Sequence, residues 1–191
     1  MIESIKRVIT GVDDAGNSTV TSSGVLNPVF SRPPADEQGK SERIVPLWQV
    51  WGTPDGSVSF EDLAEPVHAP LFPGPGGTRF LVFVIPPDST VADPVYGEGQ
   101  ATDDLPGLRE AHETAGEDAA FHATDTIDYC FVAEGEVVLE LDGGRLERLT
   151  RGSCVVQRGT RHAWRNPTDQ PALIVVSCVG VLRDSTSTTS Q

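Results

Sequence analysis

The sequence predicts an all-β protein of the sandwich or barrel type, and three observations lead to that prediction. Short apolar segments recur at even intervals from residue 126 onward, each bounded by a turn sequence. Apolar and polar residues alternate within these segments, which is the pattern of a strand with one buried face. The 191 residues include 19 glycines and 15 prolines, which favours many turns over long helices.

The first half of the chain predicts four strands separated by irregular segments. Two segments around the turn sequence DDAGN predict a hairpin, and the third strand contains two of the tryptophans. The nearly continuous apolar run RFLVFVI predicts a buried fourth strand. The four predicted strands are Ile5–Val12, Ser18–Thr21, Val45–Trp51 and Arg79–Ile85, and residues 31–43 are expected to form an exposed loop.

Residues 86–121 differ in kind from the segments on either side. They are rich in Gly, Pro and acidic residues and contain one plausible helix, LREAHETAGEDAA at 108–120. Such a segment is either a solvated loop or a lid, since long insertions in compact domains often cover active sites. We expect residues 88–118 to open at low free-energy cost because they contain few apolar anchors.

From residue 126 the chain predicts a regular antiparallel meander with turns at AEG, DGG and PTDQ. The length fits one domain, which we place at 1–184. Its barrel core is expected over about 78–183, with N-terminal strands and loops over 1–77. The polar tail at 185–191 has nothing to bury and is expected to be disordered.

The charge of the chain argues against several classes of partner. A net charge of −14 disfavours nucleic acid, whose phosphates need clustered Lys and Arg, and it disfavours anionic membrane surfaces. No apolar segment reaches the ~20 residues of a membrane span, and the N-terminus lacks the apolar core of a signal peptide. We therefore expect a cytoplasmic protein that binds neither nucleic acid nor membranes.

The three cysteines, Cys130, Cys154 and Cys178, lie in apolar, strand-like segments without CxxC spacing. Cysteine in such segments behaves as a small buried hydrophobe, so we expect structural roles for all three.

Two of the four histidines, His122 and His162, begin strand-like segments on either side of the meander. Antiparallel strands that are distant in sequence can bring such residues together in the mouth of a barrel, where ligand sites tend to form.

The segment from Gly152 to Asn166 resembles the second motif of the cupin family, G-x(5)-P-x-G-x(2)-H-x(3)-N. The match is complete from Gly159 through His162 to Asn166. Upstream the spacer is one residue shorter, and Gln157 stands where the motif has proline.

The first cupin motif, H-x-H-x(3)-E-x(6)-G, fits the spacing from His122 to Gly135. Thr124 replaces its second histidine and Asp128 replaces its glutamate. The string VVQRGTRHAWRN and the N-terminal segment resemble a small single-domain cupin subfamily that is often linked to secondary metabolism. The resemblance implies a jelly-roll barrel, also called a double-stranded β-helix, with one short helix in an insertion loop.

The resemblance also implies a metal site made of His122, Asp128 and His162. Two histidines and one carboxylate leave coordination positions open, as non-haem Fe(II) oxygenases require. We favour Fe(II), and Zn²⁺, Ni²⁺ or Mn²⁺ would also suit such a site as a single divalent ion. Thr124 is too weak a ligand but could hydrogen-bond a metal-bound water and so take part in catalysis. The alternative is a metal-free barrel in which Asp128 pairs with an arginine.

Further candidates surround this site. His68, His112 or a carboxylate of the lid could supply a fourth ligand. Trp164, a candidate catalytic and substrate-binding residue, lies on the same strand face as His162 and could line a substrate pocket or belong to the core. Gln157 is a candidate substrate-binding residue.

The expected function is that of a metal-dependent enzyme acting on a small organic molecule, an oxidoreductase of the oxygenase type. The alternatives are a redox-neutral lyase, dehydratase or isomerase, and a barrel that binds a small ligand without catalysis. Cupins commonly dimerise through an N-terminal strand, so the resemblance also implies a homodimer.

Overall fold

The computed structural model of the protein describes residues 2, 4–29, 37, 46–59, 65–90, 107, 111 and 120–183. Within these ranges the chain forms ten strands and two short 3-10 turns, at Asp88–Thr90 and Asp142–Gly144. The strands are β1 (Ile5–Val12), β2 (Ser18–Leu26), β3 (Leu47–Thr53), β4 (Thr78–Ile85), β5 (Thr126–Glu134), β6 (Glu136–Leu141), β7 (Arg145–Thr150), β8 (Cys154–Arg158), β9 (His162–Arg165) and β10 (Ala172–Gly180).

Eight of these strands make two antiparallel sheets. The first sheet has five strands in the order β3-β4-β10-β5-β8, and the second has three in the order β7-β6-β9. Strands β1 and β2 form a separate hairpin. Strand β10 lies between β4 and β5 in the first sheet and pairs with both, although both are distant from it in sequence. The predicted all-β, two-sheet barrel is confirmed.

The two sheets face each other across one apolar core. Strand β10 alternates buried and half-buried residues along its length, as a strand with one interior face should. Val132 and Ile174 from the first sheet pack in the same cluster as Val137 and Trp164 from the second. Burial of these side chains supplies the main driving force for folding of the barrel.

Most of the buried polar residues lie at one end of the barrel, whereas Asn166 is buried at the other end, where its amide donates to the Ile85 carbonyl. On β5 the inward side chains change from Val132 and Cys130 to Asp128 and Thr126 toward the start of the strand. On β4 the interior series ends in the fully buried Arg79. The opposite end is closed by aliphatic side chains. We call the end that contains Thr126, Asp128 and His162 the polar end.

Most predicted strands of the first half are confirmed, with different bounds. β1 has the predicted limits, β2 extends to Leu26, and β3 begins and ends two residues later than expected. The loop at 31–43, the helix at 108–120, most of the lid at 88–118 and the tail at 185–191 lie outside the described residues. The single domain at 1–184 stays a prediction.

One prediction about the cysteines is wrong. Cys130 and Cys178 are buried as expected, but Cys154 is exposed. It lies on β8, where alternate residues point to the outside of the barrel, so its apolar neighbours in sequence do not bury it. All three thiols are free. No helix in the described ranges is long and apolar enough to cross a membrane.

Candidate functional site

The structure brings His122 and His162 together at the polar end. Their backbones form an antiparallel bridge, with N–O distances of 2.9 and 3.0 Å in the two directions. The centroids of their imidazole rings are 4.2 Å apart. Phe72 stacks near the His122 ring, with centroids 6.2 Å apart. Two imidazoles at this separation can serve as two ligands of one ion.

The His162 ring is oriented by a backbone carbonyl. Its Nδ1 lies 2.9 Å from the Thr160 oxygen. Because a carbonyl oxygen only accepts, this hydrogen bond requires a proton on Nδ1, and in the neutral ring Nε2 is then the basic nitrogen. Such a bond to the second ring nitrogen is typical of metal-ligating histidines, since it fixes both tautomer and orientation.

The Gln157 side chain also hydrogen-bonds to the Thr160 carbonyl. Its Nε2 donates to the Thr160 oxygen at 3.1 Å and also contacts the Thr160 hydroxyl. The Gln157 side chain is buried on β8, directly opposite Asp128 on β5. The Gln157 side chain therefore stabilises the turn that orients His162. Through this hydrogen bond, glutamine has a structural role at the position where the motif has proline.

Gly159 is required in this turn for two reasons. Its φ is +63°, a conformation that L side chains rarely adopt. A Cβ at this position would lie 2.9 Å from the Thr124 carbonyl oxygen and 2.9 Å from the Arg183 guanidinium. That guanidinium donates to the carbonyls of Thr124 and Gly159 and pairs with Asp125. These contacts tie the two motif segments together at the rim of the polar end.

Asp128 is buried in the barrel wall, with 6% of its surface exposed. The Thr126 hydroxyl and the Cys178 thiol donate to its carboxyl group, while its Oδ1 has no hydrogen-bond partner among the described residues. Burial raises the pKa of Asp128 above its ordinary value, and the two hydrogen bonds offset part of that effect. The carboxyl group is therefore disposed to hold a proton.

Asp128 belongs to a row of polar side chains across the interior of the five-stranded sheet. In register, Arg79 is opposite Cys178, Cys178 is opposite Asp128, and Asp128 is opposite Gln157. Arg79 donates to the backbone carbonyls of Pro70, Thr53 and Thr78, so it joins the loop that precedes β4 to the ends of β3 and β4. The sequence interpretation missed Arg79 and Cys178 because only the strand register reveals their position beside Asp128.

The thiols near Asp128 are not poised as nucleophiles. Burial and the neighbouring Asp128 raise the pKa of Cys130 to about 12. The same two causes raise the pKa of Cys178 further. Since the thiolate is the reactive form, both side chains act as neutral groups, and Cys178 serves as a hydrogen-bond donor.

The histidine pair fits a divalent ion, but the expected carboxylate does not join it in this arrangement. In the described part of the chain, no group of three or more His, Cys, Asp or Glu side chains is placed to hold a metal ion. His122 and His162 supply two nitrogen ligands, whereas the Asp128 carboxyl group is engaged with Thr126 and Cys178. The three-ligand set with Asp128 stays a prediction.

The other predicted site residues have distinct positions. The Thr124 hydroxyl is buried 2.7 Å from the Thr126 hydroxyl, which in turn donates to Asp128. Trp164 packs in the core with its ring edge-on to His162, at a centroid distance of 6.3 Å. His68 is exposed on the loop before β4, and His112 lies outside the described residues.

The family comparison agrees with this geometry. Residues 110–178 match the family model described as Cupin domain. This span includes both motif segments and the strands β5 to β9 that carry them. This part of the chain is therefore similar to a cupin domain, and the all-β, two-sheet barrel agrees with that similarity.

Curated relatives match over a short segment. The chain is 50% identical over 48 residues, 25% of its length, to oryzines biosynthesis cluster protein J of Aspergillus oryzae. It is 46% identical over 65 residues to phomopsin biosynthesis cluster proteins C' and D of Diaporthe leptostromiformis. The matches span 27% and 34% of those relatives' own lengths. The expected link to secondary metabolism is confirmed at the level of these relatives.

Solved structures resemble the chain at low identity. A Cupin 2 conserved barrel domain protein from Salinispora arenicola is 16% identical with a TM-score of 0.34, over 59% of this chain and 66% of that one. A putative ethanolamine utilization protein Q from Salmonella typhimurium is 10% identical with a TM-score of 0.39, over 94% and 98%. At these values the likeness carries no functional information.

Proposed function

We propose that the protein is a metal-dependent cupin enzyme that acts on a small organic molecule in a biosynthetic pathway, as an oxidoreductase of the oxygenase type. The observation that carries the proposal is the pairing of His122 with His162 at the polar end. The names of the relatives support the biosynthetic setting. We place the reaction in the cytoplasm.

His122 and His162 would hold one divalent ion, for which we favour Fe(II), through the Nε2 atom in the case of His162. A bound Fe(II) with open coordination positions supplies redox chemistry with oxygen, and Zn²⁺, Ni²⁺ or Mn²⁺ would supply a Lewis acid. The chain's own contribution is to fix the ligands through the Thr160 carbonyl and the Gln157 amide.

Asp128 would serve the reaction as a proton-holding group. Its buried carboxyl group accepts from Thr126, and the Thr124 hydroxyl continues that chain of hydrogen bonds toward the rim. Because burial raises the pKa of this carboxyl group, it holds its proton to a higher pH than an exposed aspartate does and can act as an acid or base. Thr124 and Thr126 would keep that proton at a defined oxygen.

A second candidate function follows from the same carboxyl group. A redox-neutral lyase, dehydratase or isomerase needs a positioned acid or base beside the reacting carbon, and Asp128 offers one. In that reaction an ion held by His122 and His162 would supply Lewis-acid chemistry with no change of oxidation state. Gln157 and Trp164 stay candidate substrate contacts in both proposals.

The experiment is an oxygen-uptake assay on untagged, Fe(II)-loaded protein with a panel of small keto and hydroxy compounds. Oxygen consumption that requires both metal and substrate supports the oxidoreductase. Deuterium incorporation from D2O next to a substrate carbonyl, without oxygen uptake, supports the redox-neutral enzyme instead. Ligand binding with neither signal would contradict both and indicate a binding protein.

A further inference from the structure

The sequence RHAWR, which contains β9, has a second face that the functional site does not use. His162 and Trp164 point into the barrel, where their rings meet edge to face. Because side chains alternate along a strand, Arg161, Ala163 and Arg165 lie on the outer face of the second sheet. Ala163 is nevertheless fully buried. Another side chain on the outer face must therefore cover it.

Phe121 is the side chain that packs against Ala163. Phe121 precedes His122 in sequence, and successive side chains of an extended segment point to opposite faces. The Phe121 ring is therefore outside the sheet, while the His122 ring is at the polar end. Phe121 and Ala163 form one small cluster with Ala120, and 5% of the surface of Phe121 is exposed. The short alanine side chain leaves room for the ring against the sheet.

Two guanidinium groups contact the Phe121 ring. The Arg161 guanidinium carbon lies 3.7 Å from the ring centroid and that of Arg165 lies 5.7 Å from it, both within the ~6 Å limit of a cation–π contact. Arg161 Nη1 is 2.9 Å from Asp142 Oδ1, which holds the first guanidinium in place. Arg165 Nε is 2.6 Å from Glu140 Oε2, which holds the second. We call Phe121, Arg161 and Arg165 the aromatic clamp.

The position of His122 depends on an anchor of this kind. His122 lies outside the ten strands and joins the second sheet through an isolated bridge to His162, with one hydrogen bond from each amide to the other carbonyl. On its other edge, β9 pairs with β6 through a continuous ladder of four residue pairs. A single bridged pair opens at a lower free energy than a residue within a ladder. A buried side chain beside the bridge raises that opening free energy.

We propose that Phe121, through its contacts with Arg161 and Arg165, is a positioning residue that holds His122 beside His162. A ring fixed on the outer face fixes the backbone of the next residue, and with it the imidazole on the inner face. The inference rests on the proposed function, in which the two imidazoles hold one divalent ion, and it adds a contact on the opposite face of the sheet. Phe121 would act on the ion through His122.

The first test is amide hydrogen exchange of the metal-free protein, measured by NMR. Phe121→Leu keeps an apolar side chain but removes the ring, so the bridge amides of His122 and His162 should exchange about 3–30-fold faster. Phe121→Tyr keeps the ring and should keep the parent rates. The matched control is Arg148→Gln, because Arg148 lies on the same outer face but pairs with Glu136. That variant should change neither amide.

The second test is the affinity for Zn²⁺ alone, measured by calorimetry. The affinity should fall about 3–30-fold in Phe121→Leu and in Arg161→Gln, and it should keep the parent value in Phe121→Tyr and Arg148→Gln. The double variant of Phe121→Leu with Arg161→Gln should lose less than the product of the two single losses, because both substitutions remove the same contact. Losses that simply multiply would contradict the coupling of the ring to Arg161.

The two measurements separate this inference from the proposed function. A parent that binds no Zn²⁺ would contradict the proposed ion, and the exchange rates would still decide whether the aromatic clamp holds His122. Unchanged bridge amides in Phe121→Leu, or an unchanged affinity in that variant when the parent binds Zn²⁺, would overturn the clamp. An equal rise in exchange at every amide, β6 included, would also overturn it, because Phe121 would then stabilise the whole barrel without a specific effect on His122.

Discussion

The two ends of the barrel interior are built from the same strands but differ in chemistry. On β10 the inward side chains Ala172, Ile174 and Val176 close one end, and Cys178 begins the other. The first end is mainly apolar, and its one fully buried polar side chain among the described residues, Asn166, donates to the carbonyls of Ile85 and Gln170. At the polar end, carboxyl, amide, guanidinium and imidazole groups are buried within one row of the sheet or across from it.

The apolar end mainly stabilises the fold, whereas the polar end holds the groups that a function would use. Buried polar groups cost free energy unless they are hydrogen-bonded, so a protein collects them where they have a use. The apolar end contributes most of the stability. The polar end holds its groups through specific bonds, such as those of Gln157 and His162 to one carbonyl.

The largest expected effect is at the apolar end. Ile174→Ala should lower the free energy of unfolding by about 2–5 kcal/mol, because the side chain is fully buried and a cavity would remain. Ser177→Ala, an outward residue of the same strand, should change it by no more than about 0.5 kcal/mol. Urea unfolding followed by circular dichroism measures both. Similar losses in the two variants would contradict the assignment of Ile174 to the core and of Ser177 to the outer face.

Gln157→Leu should lower the affinity for a divalent ion without disrupting the fold. Loss of the amide frees the Thr160 carbonyl that orients His162, so the affinity for a divalent ion should fall about 10–100-fold. Nitrogen-15 NMR of the metal-free protein should show His162 leaving its single Nδ1–H tautomer. Arg158→Gln, at the adjacent outward position, is the control and should change neither. An unaltered tautomer in Gln157→Leu would refute its positioning role.

Asp128→Asn should change the pH dependence of stability. Because the pKa of Asp128 is raised in the folded state, the parent loses stability as pH rises from the ordinary value of 3.8 through the raised pKa. Asparagine does not ionise, so the stability of the variant relative to the parent should rise across this pH range and should stay higher at more alkaline pH. Thermal melts of metal-free protein from pH 3 to 8 measure the difference. A gap that narrows with rising pH would contradict a protonated Asp128.

The same variant sharpens the assignment of ligands. If Asp128 is held in the wall by Thr126 and Cys178, Asp128→Asn should retain its metal content. Loss of metal in this variant would show that the carboxylate swings to the histidines when the ion binds.

The smallest expected effect is that of Thr124→Val. The substitution removes a hydroxyl hydrogen-bonded to Thr126 and keeps the shape of the side chain, so it should cost about 0.5–1.5 kcal/mol. Metal content should not change, because Thr124 is not a ligand. Urea unfolding and elemental analysis check the two parts, and loss of metal would contradict the assignment.

The sequence was sufficient for the fold class and for the meeting of His122 with His162, because alternation and motif spacing carry both. Other features depend on strand register, which the sequence does not state. The row from Arg79 to Gln157 appears only when β10 is placed between β4 and β5. The apolar segment around Cys154 likewise led to a wrong expectation of burial, since both faces of β8 carry apolar residues.

The most direct test of the account is the metal content of single-histidine variants. Untagged parent, His122→Ala, His162→Ala and His68→Ala would each be loaded with Fe(II), Zn²⁺, Ni²⁺ or Mn²⁺, desalted and measured by elemental analysis. We predict about one ion per chain in the parent and in His68→Ala, since His68 is exposed on the loop before β4, and loss of most of it in the other two. Equal metal content in the parent and His162→Ala, or none in the parent with any of the four ions, would contradict a metal site at the polar end.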